Sequence, residues 1–192
     1  MSDLFYTGVG SRDITDEEWD TMVAIAKWLA KWYILRSGKA SGSDSAFEYG
    51  VSISEYKDNK EIYIPWPKFE GNEISGEVIP LSRPDSVNYA LTLQYAKEIH
   101  PAFERLSQGA KKLHQRNVHQ VLGRDLENPN PSKFLLACSD EDKHGDVKGG
   151  TRTAWMLAKK FGTPCFNIRG KTKREIFEFL KPIMEENNVT TK

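Results

Sequence analysis

Cysteine is scarce in this chain of 192 residues: only Cys138 and Cys165 occur, which excludes a disulfide framework and leaves stability to the core. Both end apolar runs, so both are expected as buried thiols in a reducing compartment. An excess of either charge is also missing. Lysine plus arginine equals aspartate plus glutamate at 27 each, so no global field draws the chain to nucleic acid, and only a local basic face remains open. No apolar run reaches the roughly 20 residues that cross a bilayer, and Met1-Ser-Asp-Leu lacks the basic and apolar regions of a signal peptide. A cytoplasmic protein with no membrane partner is expected. Repeats and low-complexity tracts are absent as well. The length suits one domain with its own core, so 1–192 is read as a single unit, with 66–85 as a loop insertion and 187–192 as a flexible tail.

What is present is an alternation of short apolar runs and helical patterns. Leu4 to Val9 reads as a buried strand, and Thr15-Asp-Glu-Glu18 as a capping box opening a helix. Trp19, Met22, Val23, Ala26, Leu29, Ala30 and Tyr33 share one face of it, and Trp19, Trp28 and Trp32 belong to packing. Further strands are expected at Ile34–Arg36, Glu61–Ile64, Phe134–Cys138 and Cys165–Ile168, with helices at Asp44–Ile53, within Ser86–Leu122, at Thr151–Phe161 and after the second capping box Thr172-Lys-Arg-Glu175. Pro101 is read as a helix start and Gly123 as a helix end. Strands separated by helices require crossover connections, so a mostly parallel sheet of about five strands in a Rossmann-like three-layer α/β sandwich follows. With strand order 3-2-1-4-5, the loops after the first and fourth strands flank the topological switch point, where open α/β sheets bind ligands.

Those two loops carry the most informative residues. After the first strand come Gly8, Gly10, Ser11 and Arg12: the glycines allow close backbone approach, Ser11 offers a hydroxyl, and Arg12 suits a bidentate contact to phosphate or carboxylate. The alternative is an ordinary turn with Arg12 at the surface. After the fourth strand, Gly149, Gly150 and Thr151 open a helix whose N–H groups and dipole favour an anion, the alternative being a plain cap made by Thr151. A second turn, Ser37-Gly38-Lys-Ala-Ser-Gly-Ser-Asp44, leads to Asp44 and Glu48 on one helix face. These carboxylates either bind ribose hydroxyls, with Glu48 as the one candidate catalytic base, or serve as helix-start and solvated groups. Arg116, Asn117 and Gln120 lie within little more than one turn, as readers of a base or phosphate or as surface polar residues. His100, His114 and His119 lack spacing to a nucleophile and are read as packing or surface residues. The acidic loop Ser139 to Asp146 matches no EF-hand or zinc pattern, so neither metal nor resident cofactor is expected, and a mobile flap or a contact to phosphate through a divalent ion stay open.

Taken together, Gly8-Val-Gly-Ser-Arg12, Ser37 to Asp44 with Phe47-Glu48, Arg116-Asn117 with Gln120, and Gly149-Gly-Thr151 resemble the SLOG superfamily, which contains DprA-like and lonely-guy (LOG) proteins. The resemblance runs from about Phe5 to Ile168 and is nearest to small, phage-type DprA-like members. It implies a Rossmann-like fold that binds nucleotides or nucleotide-derived ligands, a homodimer, and host cytoplasm for a phage-encoded chain. The LOG motif Pro-Gly-Gly-x-Gly-Thr-x-x-Glu, laid on Gly150-Thr151, puts Ala154 where its catalytic glutamate belongs. DprA proteins bind single-stranded DNA through basic surface, whereas this chain is neutral. The expected function is therefore binding of a nucleotide, NAD-derived or cyclic small molecule, in sensing or sequestration. The alternatives are an N-glycosidic hydrolase of nucleoside monophosphates, with Glu48 as base, and DprA-like single-stranded DNA binding.

Overall fold

In the computed structural model, residues 3–71 and 73–189 are described. Six strands among them, β1 (Phe5–Gly10), β2 (Ile34–Ser37), β3 (Lys60–Ile64), β4 (Val78–Pro80), β5 (Leu135–Cys138) and β6 (Cys165–Asn167), form one sheet in the order β4-β3-β2-β1-β5-β6. Every neighbouring pair is parallel, with Thr7 of β1 opposite Arg36 of β2 on one side and Leu135 of β5 on the other. The chain builds outward from β1 to β4, then returns to lay β5 on the opposite flank of β1. The expected order of five strands is present, and a sixth, β4, extends it at the β3 edge. That strand falls inside the segment read as a loop insertion, where Ile79 pairs with Tyr63.

Among the described residues six α-helices cover the sheet: α1 (Asp16–Leu29), α2 (Ser43–Ser52), α3 (Val87–Ile99), α4 (Gln108–Leu122), α5 (Arg152–Lys160) and α6 (Lys173–Glu186). Successive strand residues point to opposite faces, and the core divides accordingly. Tyr6, Leu136 and Cys138 pack with α1, α2 and α6, while Val9, Leu135 and Ala137 pack with α3, α4 and α5. Cys138 is buried as expected, but Cys165 starts the edge strand β6 and is only partly covered. Trp19, Trp28 and Trp32 pack against the first of these clusters, and His114 and His119 are buried on α4.

Local chemistry sets the helix ends. Thr15 Oγ1 accepts from Glu18 N while Glu18 Oε2 accepts from Thr15 N, and Thr172 with Glu175 repeats the arrangement at α6. Each cap stabilises its helix by about 0.5–2 kcal/mol. Pro101, by contrast, starts no helix. It follows the end of α3 at His100, a place proline favours because it cannot continue the helix, and α4 begins instead at the Ser107 cap, whose side chain accepts from Ala110 N. Gly123 ends α4 with a positive φ. Of the segment read as a tail, Asn188 N and Val189 N bond back to Glu185 O and Met184 O, and residues 190–192 lie outside the described residues. Among the described residues no helix is long and apolar enough to cross a membrane.

Candidate functional site

A cleft of about 370 Å³ opens at the C-terminal edge of the sheet between the loops that follow β1 and β5, with α4 as one wall. This is the switch point, where β1 has β2 on one side and the late strand β5 on the other. The volume lies in the range of small-molecule sites.

The β1 loop supplies Gly10, Ser11 and Arg12 to the lining. Ser11 is fixed by its backbone: its N–H donates to Cys138 O at 2.7 Å, and its carbonyl accepts from Ser43 N and Ser43 Oγ. Arg12 stands exposed at the rim, with Nη2 3.6 Å from Glu70 Oε1. Gly8 is not in the lining. A Cβ there would lie 2.7 Å from the Phe47 ring, so its role is to let α2 pack on the sheet.

The β5 side supplies Ser139, Asp140, Lys148, Gly149, Gly150 and Thr151. Gly149 to Thr151 form one 3-10 turn running into α5, and Gly149 takes a positive φ of 69° that favours glycine. The first N–H groups of such an opening have no partner within the helix. Thr151 makes no side-chain capping bond, so the plain-cap alternative does not describe it. A Cβ added at Gly149 or Gly150 would meet nothing within 4 Å, which leaves the turn open to an approaching group. Asn117 Nδ2 donates to Gly150 O and braces the turn from α4.

The acidic loop between β5 and this turn is tied down. Asp140 pairs with Arg169 at 2.7 Å, Asp142 with Arg152 at 2.9 Å, and Asp146 with Lys159 at 2.8 Å while accepting from Trp155 Nε1. Each of these carboxylates thus has a cation beside it, and Asp140, although paired with Arg169, also lines the cleft. Among the described residues no group of three or more His, Cys, Asp and Glu side chains is placed to hold a metal ion.

The deep part of the cleft is polar and buried. Asp44 and Arg116 face each other, with Nη1 3.6 Å from Oδ2, and Arg116 Nη1 also donates to Gly38 O. Burial pushes the Asp44 carboxyl above the usual carboxylate range, and the neighbouring Arg116 pulls against that rise. Gly38 lies beneath both polar side chains of α4: a Cβ there would sit 1.6 Å from Arg116 Nη1 and 2.4 Å from Gln120 Nε2. Gln120 lines the cleft and Gly38 does not. Ser37 is also outside the lining, its hydroxyl donating to Gly8 O at 2.8 Å.

Glu48 shares its helix with Asp44 but not the cleft. Its Oε2 lies 2.8 Å from Lys39 Nζ and its Oε1 accepts from Lys39 N at 2.9 Å. Burial raises its pKa, opposed by Lys39. The two carboxylates are therefore each matched to a different cation.

Four polar lining residues were not among the expected binding residues: His114, read as a packing or surface residue, Ser139 and Asp140, read as part of the acidic loop, and Lys148. His114 Nδ1 lies 2.7 Å from Thr153 Oγ1, and burial lowers its pKa to about 4, with His100 and Arg116 adding to the effect. The signal for it was helical arithmetic, since 110, 113, 114, 117 and 120 recur at the spacing of one helix face. Asn117 and Gln120 already marked that face.

No family model matches the sequence, and no curated protein matches it. Solved structures do. DNA processing protein A from Helicobacter pylori, described for its single-stranded DNA binding mode, superposes with a TM-score of 0.51 at 12% identity over 98% of this chain and 82% of that one. DNA processing protein A (DprA) from Streptococcus pneumoniae gives 0.50 at 11% identity over 96% of this chain, which spans only 56% of that protein. The molybdenum cofactor carrier protein from Chlamydomonas reinhardtii gives 0.47 at 17% identity, covering 97% and 86%. The chain has a DprA-like, Rossmann-type fold.

Proposed function

We propose that the cleft binds a nucleotide or nucleotide-derived small molecule and holds it, in sensing or sequestration, without turnover. The observation that carries this reading is the Gly149–Thr151 turn, which lines the cleft, has open space beside both glycines, and shares the lining with Lys148 and Arg12. Helix-start N–H groups and two cations thus line one cleft, a combination suited to phosphate. Glu48, the candidate base for cleaving an N-glycosidic bond, is held by Lys39 outside the lining, which supports binding over hydrolysis.

The test is mass spectrometry of small molecules released on denaturing the purified protein, alongside an Arg12→Ala, Thr151→Arg variant. An intact nucleotide or cyclic NAD-derived compound, lost in the variant, is the expected result. Free base with ribose phosphate would replace this reading with hydrolysis. Failure to carry or take up any nucleotide would end it.

Binding of single-stranded DNA is the second reading, favoured by the fold likeness to the Helicobacter pylori protein. It predicts a mobility shift with oligonucleotides that weakens steeply as salt rises. No shift at low salt removes it.

A further inference from the structure

Among the polar residues that line the cleft, Gln120 is the least exposed. The residue is 1% exposed, and neither its Oε1 nor its Nε2 has a hydrogen-bond partner; the Nε of Arg116, a residue 6% exposed one turn away, has none either. Buried amides are ordinarily paired, because an unmatched donor or acceptor has lost its water without compensation. The carboxamide is also confined. Its own backbone carbonyl is taken by Thr7 Oγ1 at 2.7 Å, and the backbone at Gly38 packs directly under Nε2.

The electrostatics differ between the two ends of the cleft. Arg116 is matched by Asp44 and spends Nη1 on Gly38 O, so the deep end is polar but balanced in charge. Toward the opening, Arg12, Lys148 and the start of α5 favour an anion, and the carboxylates beside them each have a cation, Asp140 with Arg169 and Glu70 with Arg12. Val9, Leu113 and Ala154 add apolar groups to the same lining. A ligand that fits this gradient is neutral and planar at one end, with a donor and an acceptor side by side, and anionic at the other.

We propose that the Gln120 carboxamide reads the hydrogen-bonding edge of a nucleobase, so that a nucleotide enters base first and leaves its phosphate at the Gly149–Thr151 turn. This rests on the nucleotide-binding reading and adds to it the orientation and the residue that recognises the base. Each base presents an amide-like or amidine-like edge, and a carboxamide offers the matching pair by rotating its oxygen and nitrogen. Arg116 Nε stands beside it as a further donor. A site built to pair such an edge discriminates strongly against a ligand that lacks it.

The experiment is calorimetric titration of the full chain with the four ribonucleoside 5′-monophosphates and with ribose 5-phosphate, which keeps the phosphate and lacks the base. Wild type, Gln120→Leu, Gln120→Glu and Arg12→Ala are compared, with circular dichroism to check folding. The expected result is that Gln120→Leu weakens the best-bound monophosphate at least tenfold and leaves ribose 5-phosphate within twofold, whereas Arg12→Ala weakens both. Should the Leu variant fail to fold, the similarly sized Glu variant, which lacks the amide donors, decides by the same comparison. Monophosphate affinity within twofold of wild type in the folded Gln120 variants, with Arg12→Ala still weakened, overturns the base-reading role and leaves nucleotide binding standing. An equal loss for ribose 5-phosphate overturns it as well, by showing a structural role. If wild type binds none of the four monophosphates, the base-reading proposal falls, and the mass spectrometry of released ligands separately decides the nucleotide reading.

Discussion

Asn117 Nδ2 donates to Gly150 O at 2.8 Å, so the middle of α4 and the turn that opens α5 are joined by one side-chain bond across 33 residues of chain. The bond fixes the peptide that follows Gly150 and thereby the direction of the first N–H groups of the turn. Replacing Asn117 by Leu keeps the size and removes the donor. Expected are a loss of about 1 kcal/mol in stability and a several-fold loss of affinity for a nucleoside monophosphate, measured by urea unfolding and calorimetry.

Two glycines of the site separate packing from binding. Gly38→Ala would drive a methyl into the Arg116 guanidinium and the Gln120 amide, both confined, and is expected to destabilise by about 1–3 kcal/mol. Gly150→Ala adds a methyl where nothing lies within 4 Å. Stability should stay within about 0.5 kcal/mol of wild type, while nucleotide affinity falls because the methyl occupies the approach to the turn. Thermal unfolding and titration of both variants check the pair.

Glu70 stands 3.6 Å from the Arg12 guanidinium at the rim, with both groups substantially exposed. An exposed pair of this kind contributes little to stability, yet the carboxylate competes with any anion for the same cation. Glu70→Gln should raise affinity for phosphate-bearing ligands a few-fold and leave the melting temperature nearly unchanged. Higher salt should shrink the difference between the two proteins.

His114 gives a pH signature. Its pKa falls from an ordinary 6.5 to about 4 on folding, chiefly through burial. Between those values the unfolded chain binds more protons than the folded one, so stability rises with pH through this window and is lost as pH drops from 6.5 toward 4. His114→Asn should flatten that part of the stability profile. Chemical denaturation at half-unit pH steps provides the measurement.

Much of the fold is legible in residue order because its signals are local. Thr15 with Glu18 and Thr172 with Glu175 are three residues apart and need no tertiary partner, and the apolar runs of β1 and β5 stand out because both faces of the central sheet are covered. The strand β4 is not legible in this way. Three residues ending in proline, after a polar and glycine-bearing stretch, carry no period, and only pairing with Ile62–Ile64 makes them a strand. Pro101 misleads for a related reason, since proline fits both just inside a helix start and just past a helix end.

The cleft is partly legible on the same grounds. Gly10 to Arg12 and Gly149 to Thr151 announce themselves as glycine turns after strands. Whether a small residue serves a ligand or a neighbouring side chain depends on what the fold brings near: Phe47 over Gly8, and Arg116 and Gln120 over Gly38. The same holds for carboxylates. Asp44 and Glu48 are equivalent in spacing, and only the positions of Arg116 and Lys39 direct one to the cleft and the other away from it.

The sheet ends in two three-residue strands, and proline stands at each margin: Pro80 closes β4 and Pro164 directly precedes β6. A strand laid against β4 from another molecule would find at Pro80 no N–H to bond, and very little ladder at either side. Edge-to-edge growth into larger sheets is thus opposed by the same short strands that complete the fold, and contacts with other macromolecules fall to the helical layers and to the loops around the cleft.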